Sequence, residues 1–326
     1  MSLKQMSNGK AFEYAIGKAI VDAASGSSNV EFIEDDEFRK CRKCFDEQCA
    51  EDRDRFSKAA VLPLDTLFRL EPAIGHPTGA TDILFVKFNA DAAGIAGDVR
   101  DVLLFRKDAR GGVAWEIGIS AKNNHDAVKH SRISPSIDFG REWLGLPCSS
   151  KYKTAVANVF AQVQRWKSGG ASSWRELGES KEKDVYAPLL KAFMDEMIRL
   201  FAQDQRNAAE SLIKYLIGRE PFYKVVKQDH NAMVVMKAFN FVPGLGLSYN
   251  GVRPDCRPDV IPLPSRMVEL AESDRGTGSN ALTLIMNHGW QVDFRIHNAN
   301  SKLENSLKFD IQLVGNPPGL FTQHIF

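Results

Sequence analysis

Cysteine is scarce in this chain, long apolar runs are missing and net charge is nearly absent; each lack excludes something. Five cysteines among 326 residues fall in no regular framework, which argues against a disulfide scaffold and suits a reducing compartment. No apolar stretch reaches the roughly 18 residues that a membrane span needs. The opening residues 1–10 lack the apolar segment of a secretory signal, so a cytoplasmic protein with no membrane partner is expected. A formal charge of +1 withholds the global basic signature of many nucleic-acid-binding domains. Any such partner must be met by a local basic surface.

What is present is ordinary for a globular chain: 44% hydrophobic and 25% charged residues, with no internal repeat. Residues 9–24 place Phe12, Ile16, Ala19, Ile20 and Ala23 at helical spacing. The charge-rich stretch 35–60, with Phe38, Phe45 and Phe56 interleaved, also reads as helical. Prolines and glycines from 72 to 79 mark a break. Strand-like runs follow at 83–88, 101–106 and 114–122, then helical patterns at 151–167, 187–202 and 206–217. Strand patterns return at 222–227, 232–239, 281–286, 290–297 and 307–314. Val292, Phe294 and Ile296 alternate with Asp293, Arg295 and His297, the period of a strand with one buried face. The order predicts a mixed α/β (α+β) fold, a central mixed sheet flanked by helices. Two intimately packed lobes are expected, residues 1–148 as the core and 149–326 as an additional helix-and-strand region.

The segment that carries chemistry runs from 97 to 134. Asp101 opens a strand, residues 107–112 turn, and the chain returns as a strand ending at Lys122. Placing Arg106 opposite Ala114 sets Asp101 against Ile119, beside Ser120 and a short diagonal from Lys122. A carboxylate and an ammonium thus converge at one end of a hairpin. Phosphodiester hydrolysis uses such a pair: hard carboxylate oxygens hold Mg²⁺, and a lysine positions water or stabilises the pentacovalent phosphate. This Asp…X-Lys arrangement resembles the PD-(D/E)XK nuclease core, with two departures. Ser120 stands where an acid is usual, and Arg100 where a proline is. Asp82 also opens a strand but has no hairpin return to the lysine. Glu116 shares the strand face of Lys122 and is the weaker catalytic candidate, since six residues at about 3.3 Å each put it about 20 Å away. In many nucleases of this core the first helix contributes a glutamate, which points to Glu13; the carbonyl of Ala121 is a further ligand candidate.

Longer strings carry a closer resemblance. Residues 7–14 (SNGKAFEY), 115–125 (WEIGISAKNNH), 127–134 (AVKHSRIS), 184–193 (DVYAPLLKAF), 289–290, 294–299 (FRIHNA) and 306–313 (SLKFDIQL) are similar to the HaeIII family of type II restriction endonucleases. The resemblance implies cleavage of double-stranded DNA at GGCC with Mg²⁺, and a companion DNA methyltransferase that protects the host site. A DNA-binding protein without catalysis, or a repair nuclease of the same core, is the alternative that Ser120 keeps open. A GGCC reader presents Arg or Lys to guanine and acids or amides to cytosine, over a larger number of phosphate contacts. Asn123, Asn124, His125, Lys129, His130 and Arg132 after the catalytic strand, and Arg295, His297 and Asn298 near the end, are the candidates. A palindrome suits a two-fold dimer, although a monomer cutting each strand in turn gives the same product.

Two tempting patterns are discounted. Cys41, Cys44 and Cys49 lack a fourth zinc ligand at usual spacing and read as helical packing residues. The glycine-rich run 243–248 lacks the lysine and following helix of a phosphate loop.

Overall fold

The computed structural model describes residues 3–90, 97–124, 126–273 and 280–326. The chain forms two compact units, both discontinuous in sequence. Unit 1 takes residues 1–126, 218–261 and 319–326; unit 2 takes 127–217 and 262–318. The division expected at 148 coincides with none of these passages, because the sheet of unit 1 recruits strands from three separate stretches.

In unit 1 the helices α1 (Leu3–Ala24), α2 (Asp36–Asp46), α3 (Ala50–Val61) and α4 (Leu64–Leu70) accompany a seven-stranded mixed sheet. Its strands are β1 (Asn29–Phe32), β2 (Ile83–Phe88), β3 (Val102–Lys107), β4 (Val113–Asn123), β7 (Phe222–Gln228), β8 (Met233–Phe239) and β13 (Phe321–Ile325). Their spatial order is β1-β2-β3-β4-β7-β8-β13, with β1–β2 and β4–β7 parallel and the other pairs antiparallel. Alternate residues turn one face toward the helices: Leu84, Val86, Val102, Leu104, Ile117, Ile119, Tyr223, Val225 and Met236 share a core with Phe12, Ile16 and Ile20 of α1. That is the period-2 and period-3.6 patterning meeting across one layer, and each fully buried large side chain contributes about 1.5–3 kcal/mol. The mixed α/β class and the α1, β2, β3 and β4 assignments hold.

The expected helix over 35–60 is two helices. The Asp35 carboxylate caps α2 through Phe38 N–H at 2.9 Å, and Cys49 in extended backbone begins α3. The cysteines therefore do not share one helical face: Cys41 is buried, Cys44 half-buried and Cys49 exposed.

At the far end of β3, Arg106 is fully buried. Its guanidinium donates to Ala73 O, Ile74 O, Ser28 Oγ and both the carbonyl and Oδ1 of Asp82. Burial works to raise the Asp82 pKa, but hydrogen bonds from Thr78 and Arg106 prevail and lower it. Asp82 is thereby committed to structure. Asp82→Ala leaves a buried cation without its counter-charge and is expected to cost about 3–5 kcal/mol, measured by chemical denaturation.

Unit 2 holds helices α5 (Ser150–Ser168), α6 (Ala187–Gln203) and α7 (Gln205–Ile217). Its sheet runs β5 (Ala127–Lys129), β12 (Leu307–Leu313), β11 (Gln291–His297), β10 (Ala281–Met286), β9 (Met267–Glu272), all antiparallel, and β6 (Arg132–Ile133) also pairs with β12. Phe193 packs against Phe139 and Phe309, each with ring centroids 4.8 Å apart, while Trp143 stacks on Phe294. The buried positions Phe294, Ile296, Phe309 and Ile311 alternate with polar ones, as the strand period requires.

Candidate active site

The hairpin β3–β4 brings Asp101 and Lys122 together. The turn is organised by Asp108, whose backbone and carboxylate bond Gly111, Gly112 and Arg110, with Gly111 at φ +83°. Pairing begins as Lys107 opposite Val113 and then shifts, so that Arg106 faces Trp115, Leu104 faces Ile117 and Val102 faces Ile119. Ala114 is the extra residue of a β-bulge. The expected pairing of Arg106 with Ala114 is thus corrected by one position, and the correction matters because a one-residue slip exchanges the faces of a strand. The ladder closes with Val102 opposite Ile119, and from just beyond its end the Asp101 carboxylate reaches Ser120 and Lys122.

Beyond β3 the Asp101 carboxylate takes over the ladder. Asp101 N–H still donates to Ile119 O at 2.8 Å, but the next donor on that edge, Ala121 N–H, bonds Asp101 Oδ2 at 2.7 Å. Ladder bonds lie in the plane of the sheet, so the carboxylate sits in the slot that a further residue of β3 would fill. Ser120 Oγ donates to the same Oδ2 at 3.2 Å and Lys122 Nζ at 3.0 Å. All three described bonds fall on Oδ2, which leaves Oδ1 as the outward oxygen. The Ala121 carbonyl leaves β4 on the same edge as its N–H.

Burial acts to lower the Lys122 pKa, yet the charge and hydrogen bond of Asp101, aided by Glu13, raise it overall. Lys122 is therefore an ammonium throughout the neutral range. Glu13, on α1, is buried and feels the charges of both Asp101 and Lys122. Desolvation, then Asp101, pushes its pKa up to about 8, against the opposing pull of Lys10 and Lys122. Lys10 Nζ contacts Glu13 Oε2 at 3.0 Å and Glu37 Oε1 at 2.8 Å, and Cys41 Sγ lies 3.7 Å from the same Glu13 oxygen. Sequence reasoning missed Lys10 and Glu37; the i, i+3 spacing of Lys10 and Glu13 was the available signal.

Glu116 is not brought into this group. Its carboxylate meets Arg100 Nη1 at 2.7 Å, and Arg100 in turn holds both oxygens of Asp98. Arg100 lies over Gly118, where an added Cβ would meet its side chain at 2.1 Å. Among the described residues no three His, Cys, Asp or Glu groups converge as a metal cluster.

The sequence-predicted DNA contacts divide. Asn123 accepts from Lys227 Nζ at 3.3 Å. Asn124, at φ +64°, is tied to Asp229 through both ends of its amide. His125 lies outside the described residues. Lys129 Nζ sits 3.6 Å above the Tyr215 ring and donates to Tyr215 O; burial lowers its pKa to about 8. Asn298 is held in a turn by Tyr186 Oη and Asn300 O. Arg132, Lys308 and His297 fall in one cross-strand row of the second sheet, Arg132 opposite Lys308 and Lys308 opposite His297. The next row pairs Arg295 with Asp310 at 3.1 Å, and His130 lies 3.7 Å from Asp310. Burial lowers the pKa of His130 and of His297.

Comparison with known proteins decides the family. A model of the HaeIII restriction endonuclease family matches residues 9–317. The type II restriction enzyme HaeIII of Haemophilus aegyptius is 32% identical over 317 residues, 97% of this chain and 96% of that one. The chain belongs to the HaeIII restriction endonuclease family. It is accordingly a type II site-specific endonuclease. No solved structure matches it. For this HaeIII-family enzyme no described helix is long and apolar enough to cross a membrane.

Proposed function

We propose that this enzyme hydrolyses a phosphodiester in double-stranded DNA at a short palindrome, GGCC being the first to test, with Mg²⁺ as its metal. The observation that carries the reading is the contact of Lys122 with Asp101, beside a buried glutamate, in a chain of this family. The donor set fits magnesium. Two carboxylates and a backbone carbonyl are hard oxygen ligands, and this ion characteristically accepts one or two carboxylates and completes its shell with water and phosphate.

Asp101 Oδ1, Glu13 and the carbonyl of Ala121 would hold the ion. When bound, magnesium supplies charge neutralisation at the scissile phosphate and a more acidic water. Asp101 keeps its position through three donors, which fixes where the outward oxygen points. Glu13 must give up its proton to act as a ligand. Lys122, a permanent ammonium here, donates to the attacking water or to a phosphate oxygen in the transition state. Glu116 and Asp82, each engaged by an arginine, take no part. Arg132, Arg295 and Lys308 supply a basic edge for DNA, with His130 and His297 as neutral hydrogen-bonding neighbours, while Asn123, Asn124 and Asn298 fasten turns. The reading also implies a companion methyltransferase modifying the same site.

Incubation with plasmid and Mg²⁺, followed by sequencing of the ends, tests the proposal. Discrete fragments with blunt ends inside GGCC are expected. A smear, or binding without cutting, counts against it.

A further inference from the structure

Next to the catalytic pair, the sheet of unit 1 carries a second group of cations. Ser120 on β4 stands in register with Lys224 on β7, and Lys224 with Lys237 on β8. A single row across the strands therefore reads Ser120, Lys224, Lys237, and Ser120 Oγ donates to the Asp101 carboxylate at 3.2 Å. Both lysines are secluded, their side chains 5% and 11% exposed. One carboxylate serves both. Asp126 Oδ1 meets Lys224 Nζ at 2.5 Å and Asp126 Oδ2 meets Lys237 Nζ at 2.6 Å, while Lys224 also donates to Asp126 O at 2.9 Å. The acid is the open member, its side chain 38% exposed.

Two sequestered ammonium groups sharing one carboxylate leave a net positive charge out of water, an expensive arrangement for a fold that needed only an apolar sheet face. The neighbours Val226 and Val235, on the same face one row further along, show what that face otherwise holds. Lys122 lies close enough to Lys224 for their charges to repel, so three cations gather about Ser120. One carboxylate oxygen against each ammonium is also how two non-bridging oxygens of a phosphodiester would lie.

We propose that Lys224 and Lys237 form a phosphate-binding site for the DNA backbone next to the scissile position, and that Asp126 occupies it as a displaceable counter-ion until DNA arrives. Ser120, in place of the acid usual at that strand position, keeps the neighbourhood positive. The site rests on the endonuclease reading for its substrate class, but it can be tested separately.

The probe is a short labelled duplex bound with Ca²⁺ in place of Mg²⁺, together with inorganic phosphate in thermal-shift assays. Lys224→Met and Lys237→Met are expected to weaken duplex binding by about tenfold each. Each should flatten the slope of log affinity against log salt, and the two together by about 0.9 for the one phosphate they share. Asp126→Asn should bind the duplex more tightly than the native enzyme and gain more thermal stability from phosphate. Native affinity and native salt slope in both methionine variants would overturn the proposal. So would weakened duplex binding by Asp126→Asn, since a mere structural clamp predicts that loss. If a methionine variant fails to fold, Lys224→Arg and Lys237→Arg, which keep the charge, should retain the native slope; a lost slope there refutes the site. Failure of the native protein to cut plasmid would strike the endonuclease reading alone.

Discussion

Lys122→Ala is expected to slow plasmid cleavage by about a thousandfold while duplex binding with Ca²⁺ stays within a few-fold of native. The side chain contributes through charge at the reacting phosphate, and removal of one preorganised donor of this kind costs about 10²–10³ in rate. Lys122→Arg should not restore the rate: a planar fork on a longer stem cannot place one proton 3.0 Å from Asp101 Oδ2 and still face the phosphate. Asp101 retains the bonds from Ala121 N–H and Ser120 in the alanine variant, so the hairpin should stay folded. Single-turnover cleavage and gel shift on the same preparations make the test, and near-native cutting by Lys122→Ala would end its catalytic assignment.

Glu13→Gln should do two opposite things: cut at least about a hundredfold more slowly, and make the metal-free protein more stable above neutral pH. An unfolded glutamate titrates near 4.5, the folded one at about 8. Between those values the native state binds a proton that the unfolded state has released. Stability therefore falls as pH rises through this window, by up to about 1.4 kcal/mol per pH unit from this one group, and the full penalty stands above pH 8. Glutamine removes the slope. Thermal melts without metal should show the variant and native enzyme alike near pH 4.5, with the variant melting higher at pH 8. Mg²⁺ should then stabilise the native enzyme more at pH 8 than at pH 6, because binding must expel the proton, and it should not stabilise Glu13→Gln. A native enzyme whose metal-free stability rises from pH 5 to 8 would contradict the raised pKa of Glu13.

The core of this fold was legible because its signals are local. Phe12, Ile16 and Ile20 repeat at helical spacing and Val102, Leu104, Ile117 and Ile119 at strand spacing, and all seven positions meet in one core. Asp101 and Lys122 were legible for the same reason, being two ends of one hairpin. What depended on distant pairing was not. The weak strands β1, β9 and β13 owe their existence to partners 50 or more residues away or to an edge, as with Asn29 pairing Ile83. The break at Cys49 could not be read from charge pattern alone. Lys224 and Lys237 looked like ordinary strand lysines, since only the β4–β7 and β7–β8 registers place them beside Ser120.

The extra residue at Ala114 has a consequence for how this lineage can drift. Parity, counted along the return strand, decides whether the acid looks at the ammonium or into the greasy layer beneath. Indels confined to the tip, between Asp108 and Gly112, alter only a solvent loop. Excising Ala114 would only make Lys107 opposite Val113 and Arg106 opposite Trp115 neighbouring pairs of a regular ladder; a single-residue change between Trp115 and Ile119 is what would rotate the acid away from the amine.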